Sequence, residues 1–421
     1  MKEFVLQMLQ TKTIRHSVIT FTGVFITGLL GFVFYFITAR FLGPENFGIF
    51  SIAVITLTLV GDISDLGMTT GLVKFVGKYI FSKPKLAMRF MKLTLKIKLV
   101  VWLIVLGIGW SLVPFISNKF LGKEELIVPL RYCLIGVGGA LLFSFVTFSL
   151  QAMQKFFSWS IINIAVNSLR LGVLGLLIYL GFFSLNSSLA VYIFLPFLGF
   201  VIGIFLLPNF FSVKNENRVV KKLFSFNIWV AVFTAIAAIS SRLDIFLVTR
   251  LLTLEKVGFY SAAVNLSSVA PQIVFALATV VAPKLASFDS DVKAYEYLKK
   301  VQLFVLALSL AGLLVGIPIS YFVIPALYGE VYTPSVTPLI ILLIGQAIFL
   351  FSVPVHTGVI YYFGYPKLFV YVSFLHLAVI GLGGWILTNK FGISGTAITV
   401  LVGNILNFLI PGVWILRKFR K

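Results

Sequence analysis

The chain has 421 residues, of which 60% are hydrophobic and 11% are charged, and its mean hydropathy is +1.07. Soluble domains are about 45–50% apolar and about 25% charged, so this composition excludes an ordinary soluble protein and predicts a polytopic membrane protein. The net charge of +21 does not indicate a nucleic-acid-binding protein, because the basic residues lie in short loops between apolar segments, where membrane topology explains them.

Twelve segments are long and apolar enough to cross a membrane, which takes about 20 residues in a helix. We expect helices because unpaired backbone groups are costly in lipid, and no segment alternates as a barrel strand does. The predicted spans are residues 17–39, 47–73, 93–117, 126–150, 158–181, 188–208, 225–249, 257–283, 301–325, 336–360, 367–388 and 393–416. The predicted fold class is therefore all-α.

Most Lys and Arg residues lie at the termini and in the loops after spans 2, 4, 6, 8 and 10. This bias predicts that both termini face the cytoplasm. We interpret the densest basic cluster as a topology anchor on anionic headgroups, and attraction of an anionic substrate is the alternative. That cluster consists of Lys74, Lys78, Lys83, Lys85, Arg89, Lys92, Lys96 and Lys98.

One stretch between the first two spans occurs twice. Residues 39–53 read ARFLGPENFGIFSIA and residues 249–263 read TRLLTLEKVGFYSAA, at an offset of 210. Self-similarity at half the chain length indicates a duplication. We predict two six-helix bundles, residues 1–210 and 211–421, in the same orientation. Transporters built from parallel repeats hold their substrate between the repeats, so we expect a central cavity there.

Spans 2 and 8 carry polar residues at equivalent positions. Thr58, Asp62, Asp65 and Thr69 of span 2 are spaced to share one helix face. Subtracting 210 places Ser268 of span 8 on Thr58, Gln272 on Asp62 and Thr279 on Thr69. We expect both stripes to line the cavity, although Ser, Thr and Asn also serve as contacts between helices.

Asp62 and Asp65 are three residues apart, and two carboxylates close together in a medium of low dielectric favour protonation of one of them. Such a pair can carry a proton or bind a cation. The alternative for Asp65, which we expect near the cytoplasmic face, is a solvated carboxylate or one paired with Lys74.

Span 5 carries Asn163, Asn167 and Arg170 on one face, and Arg170 lies near the middle of the membrane. A charge at that depth is costly and usually marks a substrate or ion pathway. The alternative is a structural Arg paired with a carboxylate of a neighbouring helix.

Span 7 carries Arg242 and Asp244, which point in nearly opposite directions unless the helix is broken. Their repeat equivalents are Phe32 and Phe34, so these charges are not part of the duplicated framework. We interpret both as functional, and an ion pair between helices is the alternative.

We find no nucleotide-binding loop, no nucleotide-binding fold and no metal-ligand cluster in the sequence. We therefore expect no cofactor, no bound metal and no enzymatic activity.

Three stretches carry a resemblance to a known family: ARFLGPENFGIFS, then DLGMTTGLVKFVGKY (65–79), then RLDIFLVTRLLTLEKVGFYSAA (242–263). They resemble the polysaccharide transporter or O-antigen flippase family of the multidrug/oligosaccharidyl-lipid/polysaccharide exporter superfamily. The resemblance implies a flippase that moves polyprenyl-linked oligosaccharide from the cytoplasmic to the outer leaflet of the plasma membrane. It also implies two bundles around a cavity that opens to alternate sides. Twelve spans favour this branch over the lipid II flippases, which generally have fourteen.

The resemblance also implies a cationic site for the lipid (pyro)phosphate, for which Arg170 and Arg242 are the candidates. We assign contacts with the substrate, and with its sugars in particular, to the uncharged polar residues, and coupling to H⁺ or Na⁺ to the carboxylates. The former are Asn163, Asn167, Thr58, Ser268 and Gln272, and the latter are Asp62, Asp65 and Asp244.

Two other functions stay open at this point. A multidrug or organic-cation antiporter of the same superfamily would use acidic cavity residues, which Asp62, Asp65 and Asp244 could supply. A non-transporting membrane partner of a glycan synthase is the third possibility. The expected partners are lipid-linked oligosaccharide and membrane lipids, with glycan-assembly proteins as a further candidate, but not nucleic acid.

Overall fold

The computed structural model describes residues 12–214, 217–268, 281 and 284–420, and all regular structure in these residues is helical. Nine stretches within this described part are long and apolar enough to cross a membrane. Two of them, Val18–Ser64 and Lys367–Phe419, each correspond to two predicted spans, and predicted span 8 runs largely through residues outside the described part. The fold is thus an all-α polytopic membrane protein with about twelve spans, as the hydropathy predicts.

The chain divides into two compact units. We call Met1–Phe41 with Ile49–Ile239 the N-terminal unit, and Leu42–Gly48 with Ser240–Lys421 the C-terminal unit. The helix Asn217–Ser240 belongs to the first of these, because Asn227 of that helix packs on Gly71. The predicted six-helix bundles, residues 1–210 and 211–421, were inferred from the sequence repeat, and they stay a prediction.

The helices of the N-terminal unit follow the predicted spans closely. They are α1 (Lys12–Ser64, two helical segments joined at a kink where Gly43 has φ 73°), α2 (Met68–Tyr79), α3 (Pro84–Phe115), α4 (Ile127–Ala152), α5 (Phe156–Tyr179), α6 (Leu185–Ile204) and α7 (Asn217–Ser240). A π-helical turn, Ile116–Leu121, extends α3, and a 3-10 turn, Glu124–Leu126, precedes α4. Stacked aromatic rings hold α2 on α3, with the centroids of Phe75 and Phe90 4.7 Å apart.

Predicted span 2 is not one continuous helix. Helix α1 ends at Ser64, and Leu66 (φ 50°) and Gly67 (φ 70°) then adopt left-handed backbone before α2 begins. Glycine adopts this conformation at little cost, and its position there allows the chain to break. The prediction that Thr58 and Thr69 share one uninterrupted helix face is therefore wrong, because they lie on different helices.

The helices of the C-terminal unit begin after a break within predicted span 7. They are α8 (Leu243–Leu251), α9 (Leu254–Ser267), α10 (Asp291–Tyr328), α11 (Val336–Thr357), α12 (Lys367–Ala378) and α13 (Gly384–Phe419). A 3-10 turn, Glu330–Ser335, precedes α11, and the π-helical turns Gly358–Tyr362 and Val379–Gly383 follow α11 and α12. Predicted span 7 is interrupted between α7 and α8, and Arg242 lies at this interruption.

The two copies of the repeated motif contact each other within the C-terminal unit. A Cβ added to Gly48 would overlap the carbonyl of Leu254, and one added to Gly258 would overlap the carbonyl of Pro44. Only glycine permits so close a backbone approach. This contact explains why Gly48 and Gly258 are identical in the repeat, and it gives the motif a packing role.

Candidate functional site

Arg170 of α5 lies against aromatic rings of two other helices of the N-terminal unit. Its guanidinium carbon is 4.4 Å from the ring centroid of Tyr192 on α6 and 5.6 Å from that of Phe34 on α1. A cation over an aromatic face is stabilised by the ring quadrupole, by about 0.5–2 kcal/mol depending on desolvation. The aromatic faces therefore stabilise the guanidinium without neutralising its charge.

The rings around Arg170 form one group, which we call the aromatic group: Phe34, Tyr35, Phe50 and Tyr192. Neighbouring centroids in this group lie 6.0–6.2 Å apart. The hydroxyl of Tyr35 donates to that of Tyr192 at 3.3 Å. The group thus brings two phenol oxygens, from helices that are far apart in sequence, close to the Arg170 cation.

A ladder of amides on α5 orients the same arginine. The side-chain nitrogen of Asn163 donates to the carbonyl of Trp159 at 2.8 Å, and that of Asn167 donates to the carbonyl of Asn163 at 2.9 Å. These bonds leave the Asn167 oxygen available, and Arg170 Nη1 donates to it at 3.2 Å. The structure thus brings together three of the predicted site residues.

Arg170 has no acidic partner among the described residues. In this part of the chain a salt bridge joins Lys98 and Asp65, but none involves Arg170. Its Nε is buried and makes no hydrogen bond. Arg131 also has a buried Nε without a hydrogen bond, so this feature alone does not distinguish Arg170. The alternative of a carboxylate-paired structural arginine does not describe this residue.

Asp65 lies at the break between α1 and α2 and is fully bonded. It accepts from the backbone nitrogen of Thr69 at 3.0 Å and from the Thr69 hydroxyl at 2.6 Å. Lys98 of α3, whose side chain is completely buried, donates to the carboxylate at 2.6 Å, to Ser144 at 2.7 Å and to Thr69 at 3.1 Å. The three bonds satisfy all donors of the ammonium.

Two expectations about these charges are wrong. Asp65 is neither solvated nor paired with Lys74, whose ammonium lies 3.6 Å above the ring of Phe226. Lys98 is not a headgroup anchor, because it is buried inside the unit. The sequence carried a signal for this, since Lys98 falls inside predicted span 3, where an ionised residue almost always has a partner.

Asp244 and Arg242 flank the start of α8 in the C-terminal unit. The hydroxyl of Tyr260 on α9 donates to Asp244 at 2.7 Å. Asp244 therefore has a phenol as a hydrogen-bond partner. Arg242 is half-buried and occupies the residue before the helix.

The described hydrogen bonds of two remaining predicted residues, Thr58 and Ser268, are local in sequence. Thr58 donates to the carbonyl of Ile55 at 2.9 Å, and Ser268 donates to that of Asn265 at 2.6 Å. Asp62 is exposed on α1, and Gln272 and Thr279 lie outside the described residues. Within the described part of the chain, no cluster of His, Cys, Asp and Glu could hold a metal ion.

Comparisons with known proteins agree with this architecture. A family model described as polysaccharide biosynthesis protein matches residues 14–288. A putative O-antigen transporter of Shigella flexneri is 23% identical over 410 residues, which cover 94% of this chain and 96% of that protein.

Solved structures share the fold. An inward-facing multidrug resistance MATE family transporter of the MOP superfamily matches with a TM-score of 0.76 at 13% identity, over 94% of both chains. The lipid II flippase MurJ in an inward closed conformation matches with a TM-score of 0.69 at 16% identity, over 96% of this chain and 87% of that one. The resemblance predicted from the three stretches is confirmed, and because the family model matches more than half of the chain, the protein belongs to the polysaccharide biosynthesis protein family.

Proposed function

We propose that the protein is a flippase of the plasma membrane, with both termini in the cytoplasm. It translocates a polyprenyl-(pyro)phosphate-linked oligosaccharide from the inner to the outer leaflet by alternating access. Family membership supports this proposal, as do the O-antigen transporter named in the Shigella flexneri relative and the fold shared with a lipid II flippase. The lipid tail can stay in hydrocarbon, so the protein has to shelter only the polar headgroup.

Arg170 is the observation on which the proposal depends. A guanidinium within a membrane span is costly, and here no described carboxylate compensates it. Its planar fork of donors matches the oxygens of a phosphate, and hydrogen bonds between charged groups are roughly twice as strong as neutral ones. We assign Arg170 to the lipid (pyro)phosphate, with Asn163 and Asn167 on the same helix face towards the adjoining sugar.

The other predicted residues extend this assignment. Arg242 is the second candidate cation for the phosphates. Thr58, Ser268 and Gln272 are the candidate sugar contacts on predicted spans 2 and 8. Short polar side chains suit sugar hydroxyls because they can both donate and accept hydrogen bonds.

Coupling to H⁺ or Na⁺ is assigned to Asp62 or Asp244. Asp244 accepts a hydrogen bond from the phenol of Tyr260, and a protonated carboxyl keeps the capacity to accept such a bond. Asp65 is the weakest of the three predicted carboxylates, because protonation would break its salt bridge with Lys98.

A flipping assay in liposomes tests the arginine assignment. The purified protein is reconstituted with a lipid-linked oligosaccharide, and access of an external glycosidase reports translocation. Loss of a charged hydrogen bond worth about 1.5–3 kcal/mol corresponds to a rate at least tenfold lower for Arg170→Gln.

Arg131→Gln is the matched control, because Arg131 also lies over an aromatic ring, 5.2 Å from that of Trp110, with a buried and unbonded Nε. We expect this variant to flip at the wild-type rate. Full activity of a folded Arg170→Gln protein would contradict the assignment, and equal loss in both variants would show that the effect is not specific to Arg170.

A further inference from the structure

The C-terminal unit contains an apolar cavity of about 340 Å³. Helices α10 and α13 both pack on α11, and the cavity lies between them with Phe351 and Val355 of α11 at its base. One stripe of α10 at helical spacing forms a wall, and Phe408 and Leu416 of α13 are on the other side. The stripe consists of Tyr295, Leu298, Lys299, Gln302, Leu303 and Leu306.

The cavity lies at one end of three predicted spans. It is lined by the first turns of predicted span 9, the second half of span 10 and the end of span 12, which all face the cytoplasm in the predicted orientation. Leu303 is 59% exposed and Leu416 is 47% exposed, so the opening is apolar. Lys299 is the one charged side chain among the described residues that line the cavity.

The N-terminal unit fills the matching groove with its own chain. Phe210, which follows α6, is 1% exposed and packs on Phe145 of α4 with centroids 5.5 Å apart. Lys92 of α3 donates to the carbonyl of Phe211 at 2.7 Å and to that of Val213 at 2.6 Å. An apolar group thus occupies the groove, and oxygen atoms next to it bind a lysine.

Lys299 holds the position in α10 that Lys92 holds in α3. Both are the ninth residue of their helix, counted from Pro84 and from Asp291. The fourth residue of each helix is a completely buried alanine, Ala87 in one and Ala294 in the other. The two lysines are therefore equivalent, but Lys299 stands beside an open cavity.

We propose that this cavity binds one hydrocarbon chain of an anionic phospholipid of the cytoplasmic leaflet, with the lipid phosphate on Lys299. The hydrocarbon takes the place that Phe210 has in the N-terminal unit, and the phosphate oxygens take the place of the two carbonyls. The amide nitrogen of Gln302 already donates to the carbonyl of Phe351 at 2.7 Å. Selection for an anionic headgroup thus falls to Lys299, since basic residues near the membrane surface attract anionic lipids.

Photocrosslinking tests the site directly. The full chain is reconstituted with phosphatidylglycerol that carries a photoreactive group in one acyl chain, and crosslinked residues are mapped by peptide mass spectrometry. We expect crosslinks to Leu303, Phe351 and Phe408. Leu303→Trp fills the cavity and should abolish these crosslinks. Leu310→Trp is the matched control, because Leu310 is an exposed leucine outside the cavity, two turns further along α10, and this variant should leave the crosslinks intact.

Competition with unlabelled lipids tests the headgroup. Lys299→Gln should weaken competition by phosphatidylglycerol about fivefold, the equivalent of the ~1 kcal/mol that one lysine contributes near an anionic lipid. Equal competition by phosphatidylcholine and phosphatidylglycerol would overturn the role of Lys299. Crosslinks that persist in Leu303→Trp, or competition by a polyprenyl phosphate but not by phosphatidylglycerol, would overturn the site or its occupant.

Discussion

Lys98 and Arg170 of the N-terminal unit both lie within predicted membrane spans, and they have opposite surroundings. Lys98 is completely buried and donates to a carboxylate and two hydroxyls. Arg170 is half-buried, lies over the rings of Tyr192 and Phe34, and has no acidic partner among the described residues.

The contrast separates a structural charge from a binding charge. The partners of Lys98 come from α2, α4 and the end of α1, so its bonds connect several helices around the break at Leu66 and Gly67. The neighbours of Arg170 stabilise a cation and leave its charge for a ligand. We expect substitution of the first to affect stability and substitution of the second to affect transport.

The largest expected effect is on the stability of Lys98→Met. This change leaves the Asp65 carboxylate without its cation, and removal of one partner from a buried ion pair costs about 3–5 kcal/mol. Denaturant or thermal unfolding in detergent measures the loss. Lys96→Met is the matched control, because Lys96 is exposed on the same helix and should change stability little.

The double variant Asp65→Asn with Lys98→Met tests the structural role of the same ion pair. Replacement of both partners of a buried ion pair by uncharged groups is often nearly neutral, so the double variant should be more stable than Lys98→Met alone. A stable double variant that flips normally confirms the structural role. A stable double variant that has lost ion coupling would instead assign Asp65 to the transport mechanism.

Tyr192→Leu is expected to have an intermediate effect. It removes the ring closest to Arg170, and a desolvated cation–π contact is worth about 1–2 kcal/mol. The guanidinium then loses its fixed position, and we expect substrate affinity to fall about tenfold. Tyr192→Phe keeps the ring and should retain most of the affinity. Equal losses of affinity in both variants would show that the hydroxyl of Tyr192, and not its ring, supports binding.

The smallest expected effect is that of Tyr35→Phe. It removes a hydrogen bond of 3.3 Å to Tyr192 while both rings stay in place, and such a bond contributes about 0.5–1.5 kcal/mol. We expect a small fall in unfolding temperature and unchanged binding of substrate. A transport defect as large as that of Arg170→Gln would show that the Tyr35 hydroxyl contacts the substrate.

Hydropathy was sufficient to predict the helices, because membrane spans are set by length and apolar content. It could not predict the break at Leu66 and Gly67, which depends on backbone dihedral angles and on the Asp65 hydrogen bonds to Thr69. The repeat was visible in the sequence, but the reason for Gly48 and Gly258 was not, because the close contact joins segments far apart in the chain.

The candidate site was predictable only in part. The spacing of Asn163, Asn167 and Arg170 on one helix was sufficient to group them, since these bonds are local. Tyr192, Tyr35 and Lys98 were missed, because their contacts are between helices and a single sequence carries no record of such pairs. An aromatic residue in an apolar span gives no sign of whether it packs against lipid or under a cation.

Discrimination between phosphorylated and unphosphorylated lipids tests the assignment of Arg170 most directly. Binding of a polyprenyl phosphate and of the polyprenol with the same chain is measured for the wild-type protein and for Arg170→Gln, both carrying Lys299→Gln so that the cavity of the C-terminal unit does not contribute. The same comparison in a Leu303→Trp background, in which the cavity of the C-terminal unit is filled, excludes hydrocarbon bound there. We predict that the protein with Arg170 prefers the phosphate at least tenfold, as a charged hydrogen bond of about 1.5–3 kcal/mol requires, and that Arg170→Gln loses this preference. The same preference in both proteins would contradict the assignment of Arg170 to the lipid phosphate.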